Sequence, residues 1–248
     1  MLLRLGHGSR PTPPSASGLG PAARAALVAR WPLGVARVTW RYLWRTTPMR
    51  RSEQAGGAAD LPEPVPSDCC DERVQHADEG VGPLLHRRYA VRIREARVTP
   101  EEVVAGLADD PNSGAPQDIA VFVKTRGEAG VLAVGDEFVV RMPGPWDGPV
   151  RVIGRGPLWF RLATLRGHLE AGQIEFRARG EDGLLHVEIE SWARAGDRLA
   201  HLAYNRLRVA KEIQLNLWVE TLLAMTASSG GRRDGLLRVD TRWVEVPA

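Results

Sequence analysis

The sequence lacks most of the short motifs that indicate a chemical activity. Its two cysteines, Cys69 and Cys70, are adjacent, and without a C-x-x-C they predict neither a disulfide framework nor a structural zinc site. The phosphate-binding motifs GxxxxGKS/T and GxGxxG are absent, as is the GxSxG of serine hydrolases. Nucleotide-dependent and serine-hydrolase chemistry therefore have no motif support, and no cofactor or metal is expected.

Long apolar runs are missing too. No segment approaches the roughly eighteen apolar residues that a spanning helix needs. The first twenty residues, MLLRLGHGSRPTPPSASGLG, contain no continuous apolar stretch of the kind that a secretory signal requires. We therefore expect a cytoplasmic protein, with peripheral membrane association as the alternative location.

Lysine is almost absent, since only Lys124 and Lys211 stand among 33 basic residues, which leaves 31 arginines. Residues 1–52 contain nine of these arginines and no acid, so the remaining chain has 24 basic and 30 acidic residues. Within residues 22–51, tryptophans alternate with arginines, a combination that suits a membrane interface. An anionic membrane surface is thus one expected partner of this segment, and packing of its tryptophans on the main domain or a partner is the alternative. Nucleic acid is not expected.

Composition divides the chain into five parts. Residues 1–21 are rich in proline, glycine and serine and are predicted to be disordered. An amphipathic Arg/Trp-rich segment at 22–51 and a linker at 52–79 precede the main domain, which we place at 80–230. Residues 231–248 are expected to form a C-terminal extension that includes one further strand.

Within the main domain, apolar and polar residues alternate in seven segments, as half-buried strands require. The first runs from Tyr89, and the others lie at 119–124, 137–142, 149–153, 158–165, 173–179 and 184–193. A short helix is predicted after Thr99, which can cap it, and a long helix from about Arg198 to Met225. Short glycine-bearing turns between the strands predict an antiparallel meander.

This order matches the helix-grip arrangement of START-like proteins, in which a curved antiparallel sheet of about seven strands wraps a long C-terminal helix. The predicted fold class is therefore α+β. A sheet with one apolar face needs a cover, and a helix that crosses it can provide one. Resemblance to START-like domains implies a cavity between sheet and helix for a small apolar ligand.

Several separated motifs also resemble an uncharacterised bacterial and plant family, domain of unknown function nineteen-ninety. The resemblance covers about residues 80–226 and rests on GVGPLLHRRY, GDEFVVRMPGPWDGPVRV, FRLATLRGHLEAGQIEFRA, IESWAR and KEIQLNLW. Membership implies no agreed activity, although a channel-like plant relative of an organelle envelope adds weight to membrane contact. The family commonly has proline at Arg166 and often an acid at Gln173, and these departures weaken the transfer of an acid/base role.

The most conspicuous ionisable pair is the H-x-E of His168 and Glu170, in a glycine-flanked turn. It lacks the downstream cysteines of zinc deaminases, and a metal would have to recruit His186, Glu188 or His201. Two interpretations stay open. The pair acts as a general acid and base inside a cavity, or His168 bonds backbone carbonyls in a hairpin turn while Glu170 faces water.

We therefore predict a non-catalytic binding domain for a lipid, terpenoid or polyketide, with two alternatives. One is a cyclase- or isomerase-like enzyme that uses His168 and Glu170, and the other is a peripheral membrane or channel-associated protein. The sequence predicts neither whether the protein turns over a substrate nor which oligomeric state it has. The residues expected to contact a ligand are Tyr89, Phe138, Met142, Trp146, Phe160, Phe176, Ile189, Arg206, Ile213, Gln214 and Leu217.

Overall fold

A computed structural model describes residues 47–115, 120–142, 147–196 and 209–245, with the backbone alone for 209–213. These residues form one ten-stranded sheet and, within the described ranges, three α-helices and three short 3-10 helices. The strands are β1 Met49–Ala55, β2 Val81–Arg94, β3 Val121–Arg126, β4 Glu137–Arg141, β5 Asp147–Gly156, β6 Trp159–Thr164, β7 Glu170–Glu181, β8 Leu184–Ala195, β9 Arg232–Arg233 and β10 Leu237–Val244; the helices are α1 Pro100–Asp109, α2 Pro111–Gly114 and α3 Val209–Ser228.

The sheet has the order β1-β10-β2-β8-β7-β6-β5-β4-β3, with β9 beside β2. From β8 to β3, neighbouring strands in the sheet are also consecutive in sequence and antiparallel, which is the predicted meander. The sheet exceeds the expected seven strands because β1, β9 and β10 come from segments expected to lie outside the main domain. β10 inserts between β2 and β1, and β1 pairs with it in parallel.

The short helix α1 forms where the capping pattern predicts it. Thr99 accepts a hydrogen bond from the backbone N–H of Glu102, and the Glu102 carboxylate accepts one from the Thr99 N–H at 2.7 Å. This capping box satisfies two backbone donors that a helix start otherwise leaves free. Pro100 occupies the first turn, where its missing N–H costs nothing.

The long helix α3 covers one face of the sheet, which we call the concave face. Its buried side chains include Leu217, Trp218, Leu222 and Met225, and they belong to one hydrophobic cluster with strand residues such as Tyr89. The fold is therefore the helix-grip α+β arrangement. α3 is described from Val209, so the predicted helix start at Asp197 lies outside the described residues, and its end at Ser228 precedes Gly230 as expected.

The opposite, convex face is crossed by residues 56–80, which we call the strap. The composition of this segment indicates a linker, but in the structure it packs on β5 and β6. Its Cys69 and Val74 form a second hydrophobic cluster with Ile153, Ala163 and Leu165. The Cys69 backbone carbonyl also accepts a hydrogen bond at 2.9 Å from Arg151, a buried side chain of β5. A proline-rich composition that indicates a linker thus belongs here to a segment that packs along the sheet.

Strand β7 contains Gly172, whose φ of +153° is rare for residues with a side chain. A β-carbon at this position would overlap the carbonyl oxygen of Trp192 in the neighbouring strand. By contrast, Gly106 lies in the exposed interior of α1, and a β-carbon there would meet nothing within 4 Å.

These two glycines predict opposite responses to alanine. We expect Gly172→Ala to lower the free energy of unfolding by about 3 kcal/mol, because either the backbone or the β7–β8 ladder must shift. Gly106→Ala should raise it by about 1 kcal/mol through helix propensity. Urea unfolding of both variants and the parent provides the measurement, and equal midpoints for Gly172→Ala and the parent would contradict the assignment.

Candidate functional site

His168 lies in the β6–β7 turn and makes its hydrogen bonds with backbone. Its Nδ1 accepts the N–H of Glu170 at 2.9 Å, and the Glu170 carbonyl oxygen is 3.0 Å from the same nitrogen. Since Nδ1 is an acceptor, the proton of the neutral ring lies on Nε2. That side of the ring packs on β5, because a β-carbon at Gly148 would be 3.0 Å from Nε2.

Burial lowers the pKa of His168 from 6.5 to about 4. The backbone contact with Glu170 opposes this shift but is the smaller effect. Because a charged imidazole loses hydration when it is buried, the neutral form is favoured. A histidine with this pKa is uncharged at neutral pH and is a weak base.

The Glu170 side chain points to a different partner from His168. Its carboxylate accepts a hydrogen bond from Nε2 of Gln214 at 2.9 Å, and Oε1 of Gln214 accepts one from the buried Arg87 at 3.0 Å. This chain of contacts links β7, α3 and β2 across the concave face. Together, Arg87, Gln214, Glu170 and His168 form what we call the polar corner.

One turn further along α3, the side chains between the helix and the sheet are apolar. Trp218 follows Gln214 by four residues, which places both on the same side of the helix. Trp218 meets Phe176 edge-on at 5.5 Å between ring centroids, and Phe176 stacks on Phe160 at 4.8 Å. These rings and Phe138 line an apolar cavity of about 20 Å³ between the sheet, α2 and α3.

Trp218 also carries a polar atom without a visible partner. Its indole Nε1–H is buried and has no acceptor among the residues that the structure describes. Thr221, which also borders the cavity, donates its hydroxyl proton to the Leu217 carbonyl at 2.8 Å, and its oxygen can still accept. A buried donor without a partner costs free energy, so an acceptor that reached this N–H would stabilise the protein.

The expected ligand-contacting residues fall into four groups. Phe138, Phe160 and Phe176 line the cavity, and Gln214 lies at the polar corner. Tyr89, Ile189 and Leu217 belong to the surrounding hydrophobic cluster, against which the partly buried Met142 packs. The remaining three, Trp146, Arg206 and the Ile213 side chain, lie outside the described residues.

Sequence reasoning missed Trp218, Thr221 and Arg87. Arg87 belongs to the same face of β2 as Tyr89, and this alternation was the one signal that could have indicated it. The ligand contacts expected on α3 did not include Trp218. The helix is buried over more than one face between Leu215 and Leu222. A helix that is packed on several sides has no single apolar stripe, so amphipathic spacing does not identify the residues that face the cavity.

Metal ligation finds no geometric support in the described parts of the chain, where no group of three or more His, Cys, Asp or Glu side chains could hold an ion. His186 and Glu188, two of the candidates that a metal would recruit, pair with β2 and β7 residues on the convex face. His168 instead adjoins the concave side. His201 lies outside the described residues.

The chain matches no family model and no curated protein. Among solved structures, it is similar to a hypothetical protein from Helicobacter pylori, with 12% identity over 57% of this chain and 86% of that one and a TM-score of 0.42. It is also similar to a conserved protein from Geobacillus kaustophilus (13% identity, 60% and 99% covered, TM-score 0.40). A third similar structure is Ara h 8.0201 (8% identity, 58% and 97% covered, TM-score 0.42).

Similarities at this level carry no argument about function. The helix-grip assignment rests on the strand order and on the packing of α3 against the concave face. In the ranges that the structure covers, no helix is long and apolar enough to cross a lipid bilayer.

The depressed pKa of His168 predicts a loss of stability in mild acid. The unfolded chain takes up a proton near pH 6.5, whereas the folded protein does so only near pH 4. The unfolded state therefore binds more protons in this window, and stability falls as the pH drops through it. Because His168 is only partly buried, we expect its share to be about 2 kcal/mol.

Urea unfolding between pH 7 and pH 4 tests this expectation. His168→Gln should flatten the profile in part, leaving the share of His86, whose pKa burial also lowers. His186→Gln, on the convex face, is the matched control. If His168→Gln and His186→Gln gave the same pH dependence as the parent, the buried neutral imidazole would be refuted.

Proposed function

We propose that the protein binds a small apolar or amphipathic molecule between the sheet and α3, without chemical turnover. The observation that carries this proposal is the apolar cavity lined by Trp218, whose buried indole N–H has no acceptor among the described residues. Gln214, one turn away on the same helix, offers hydrogen bonds at the polar corner. An apolar body with one acceptor group, such as a lipid, terpenoid or polyketide, matches this gradient along α3.

The cavity must widen to admit such a ligand. A volume of about 20 Å³ accommodates one water molecule by the measure of roughly 10 to 15 Å³ per water. The cover includes α2, a single turn whose Pro111 and the following Ala115 border the cavity. Such a short element makes few contacts, so its outward displacement is the least costly way to enlarge the space.

We further propose that the chain is a member of the domain of unknown function nineteen-ninety family, on the motifs between residues 80 and 226. Residues 22–51 are proposed to contact an anionic membrane surface through their alternating arginines and tryptophans. Their last residues, Arg50 and Arg51, belong to the edge strand β1. These statements rest on the sequence.

An acid/base role for His168 and Glu170 stays a prediction with less support. The carboxylate is bonded to Gln214, and the imidazole is bonded to backbone and has a pKa of about 4. A proton carrier at neutral pH needs a pKa closer to 7. We therefore favour a positioning role for both side chains, with His168 fixing the turn and Glu170 fixing Gln214.

Filling the cavity should abolish binding. Ala115 is extended and buried at its border, so valine can be accommodated there. We expect Ala115→Val to reduce binding of the apolar dye N-phenylnaphthylamine at least tenfold and to change the free energy of unfolding by no more than about 1 kcal/mol. Native mass spectrometry should find a co-purified small molecule in the parent and none in the variant.

Ala133→Val provides the control, because Ala133 is exposed in the loop before β4. It should bind the dye as the parent does. A parent that carries no small molecule, together with equal dye affinity in all three proteins, would refute a binding function for this cavity.

Replacing Trp218 tests the polar part of the proposal. Trp218→Phe keeps a ring but removes the N–H, so we expect the parent to prefer a long-chain methyl ketone over the matching alkane and the variant to lose about tenfold of that preference. The ratio of the two affinities cancels general effects of the smaller ring. Trp159→Phe, on the convex face, should keep the preference, and an unchanged ratio in Trp218→Phe would exclude the indole as a ligand donor.

A further inference from the structure

Five arginines lie together at one end of the convex face, on strands that are neighbours in the sheet. Arg50 of β1 is directly opposite Arg238 of β10, and Arg94 of β2 is directly opposite Arg232 of β9. Arg238 is opposite Ala90, two residues before Arg92. Because side chains two residues apart on a strand share a face, all five belong to the same side of the sheet. We call this set the arginine patch.

The strap leaves the arginine patch uncovered. It crosses the convex face at the other end of β2 and β10, where Asp60 contacts His86 at 3.0 Å and Arg242 at 3.5 Å. At the patch, all five arginines are exposed, and the side chain of Arg232 reaches 75% relative exposure. The convex face is therefore closed by the strap at one end and open to solvent at the other.

Two like-charge pairs at cross-strand positions destabilise a sheet unless opposite charges compensate them. The patch contains such compensation for two arginines only, since Arg92 pairs with Asp234 at 2.9 Å and Arg232 contacts Glu95 at 3.6 Å. A third carboxylate on this face, Asp240, bonds to Ser52.

The other three arginines, Arg50, Arg94 and Arg238, form no ion pair with any described residue. Elsewhere on the same face, Arg88 and Arg177 are paired with glutamates. The contrast shows that unpaired positive charge is concentrated at the open end.

An exposed leucine adjoins these charges. Leu236, in the turn between β9 and β10, has a relative exposure of 55%, the largest among the exposed apolar side chains that the structure describes. The preceding Gly235 lies near the Arg92 guanidinium, because a β-carbon there would be 3.5 Å from its nitrogen. Leu236 therefore sits at the rim of the arginine patch.

We propose that the arginine patch and Leu236 form a docking surface for an anionic lipid membrane. Three strand positions, β1, β10 with β9 in line, and β2, are spaced about 4.8 Å apart and present a face roughly 10 Å wide across the strands, enough to contact several headgroups. Each arginine near an anionic leaflet contributes to attraction, and an aliphatic side chain gains by entering the boundary between headgroups and acyl chains. A nucleic-acid backbone could attract the arginines, but it offers nothing apolar to Leu236.

This surface is separate from the cavity under Trp218, and it consists of residues of β1, β2, β9 and β10 with Leu236, whereas the membrane contact proposed above is residues 22–51. It therefore goes beyond the proposed ligand binding, and it stands even if the cavity binds nothing. Arg50 is the one residue that belongs both to the patch and to the segment at 22–51.

Flotation of the full chain with vesicles tests the proposal. We expect binding to phosphatidylglycerol in phosphatidylcholine and little to pure phosphatidylcholine. The double variant Arg94→Gln, Arg238→Gln breaks no ion pair seen in the described residues, and it should lower the partition coefficient by about 30-fold, or fivefold per charge. Leu236→Ser should lower it severalfold without changing the salt dependence.

The matched control is Arg126→Gln, Arg166→Gln, which removes two exposed charges from the half of the convex face that ends in β3, where Arg126 contacts Glu137 and Arg166 contacts Glu79, and it should bind vesicles as the parent does. If the patch variant and this control lost equal affinity, net charge alone would explain binding and the proposal would fail. A patch variant that floats like the parent would overturn it too.

Two further experiments distinguish the proposal from membrane binding by residues 22–51 alone and from nucleic-acid binding. If Trp40→Ser, Trp44→Ser in the full chain abolished flotation while the patch variant did not affect it, the segment at 22–51 alone would be the membrane contact. If the patch variant lost binding to a duplex DNA fragment and kept its vesicle binding, the occupant would be nucleic acid. Dye binding to the cavity should be the same in all of these variants, so a failure of the cavity proposal is recognised independently.

Discussion

The apolar side chains on the concave face of the sheet must be removed from water, and in this fold one helix does most of that work. Trp218 and Leu222 of α3 pack against a surface that includes Phe176 and Tyr89. A flat sheet would touch a single helix along one line, so the strands have to curve around it. At Gly172 the backbone comes so close to Trp192 of the next strand that no side chain fits, and the candidate cavity is the small space where the sheet and the helix do not meet.

The opposite face follows from the same curvature with different chemistry. Glu175 and Glu190 are almost fully buried there, and each accepts from an arginine, Arg161 at 2.8 Å and Arg88 at 2.9 Å. Buried carboxylates persist only when such partners replace water. The strap then seals part of this charged layer. The outcome is a sheet whose central strands are buried on both sides, one apolar and one ionic, while the open end keeps its positive charge.

The sequence predicts the central meander well because β3 to β8 alternate and are bounded by glycine turns, and it predicts α1 because Thr99 and Glu102 form a local capping box. The strap and β1 could not be predicted. Their stability comes from contacts with residues far along the chain, such as Val74 with Leu165, and their composition indicates a linker. Of the site, the sequence predicted the three phenylalanines and the polar residues His168, Glu170 and Gln214, but not Arg87, Trp218 or Thr221. Which partner Glu170 selects, Gln214 rather than His168, depends on a helix packed across the sheet, and no local pattern encodes it.

The position of β10 restricts the order in which the strands of the sheet can pair during folding. It is inserted between β1 and β2, which are neighbours in sequence but are held apart by it in space. While residues 237–244 are still inside the ribosome, β1 has no partner and the open side of β2 is bare. A nascent chain would thus expose these strand edges until residues 237–244 have emerged, and exposed edges favour aggregation during that period.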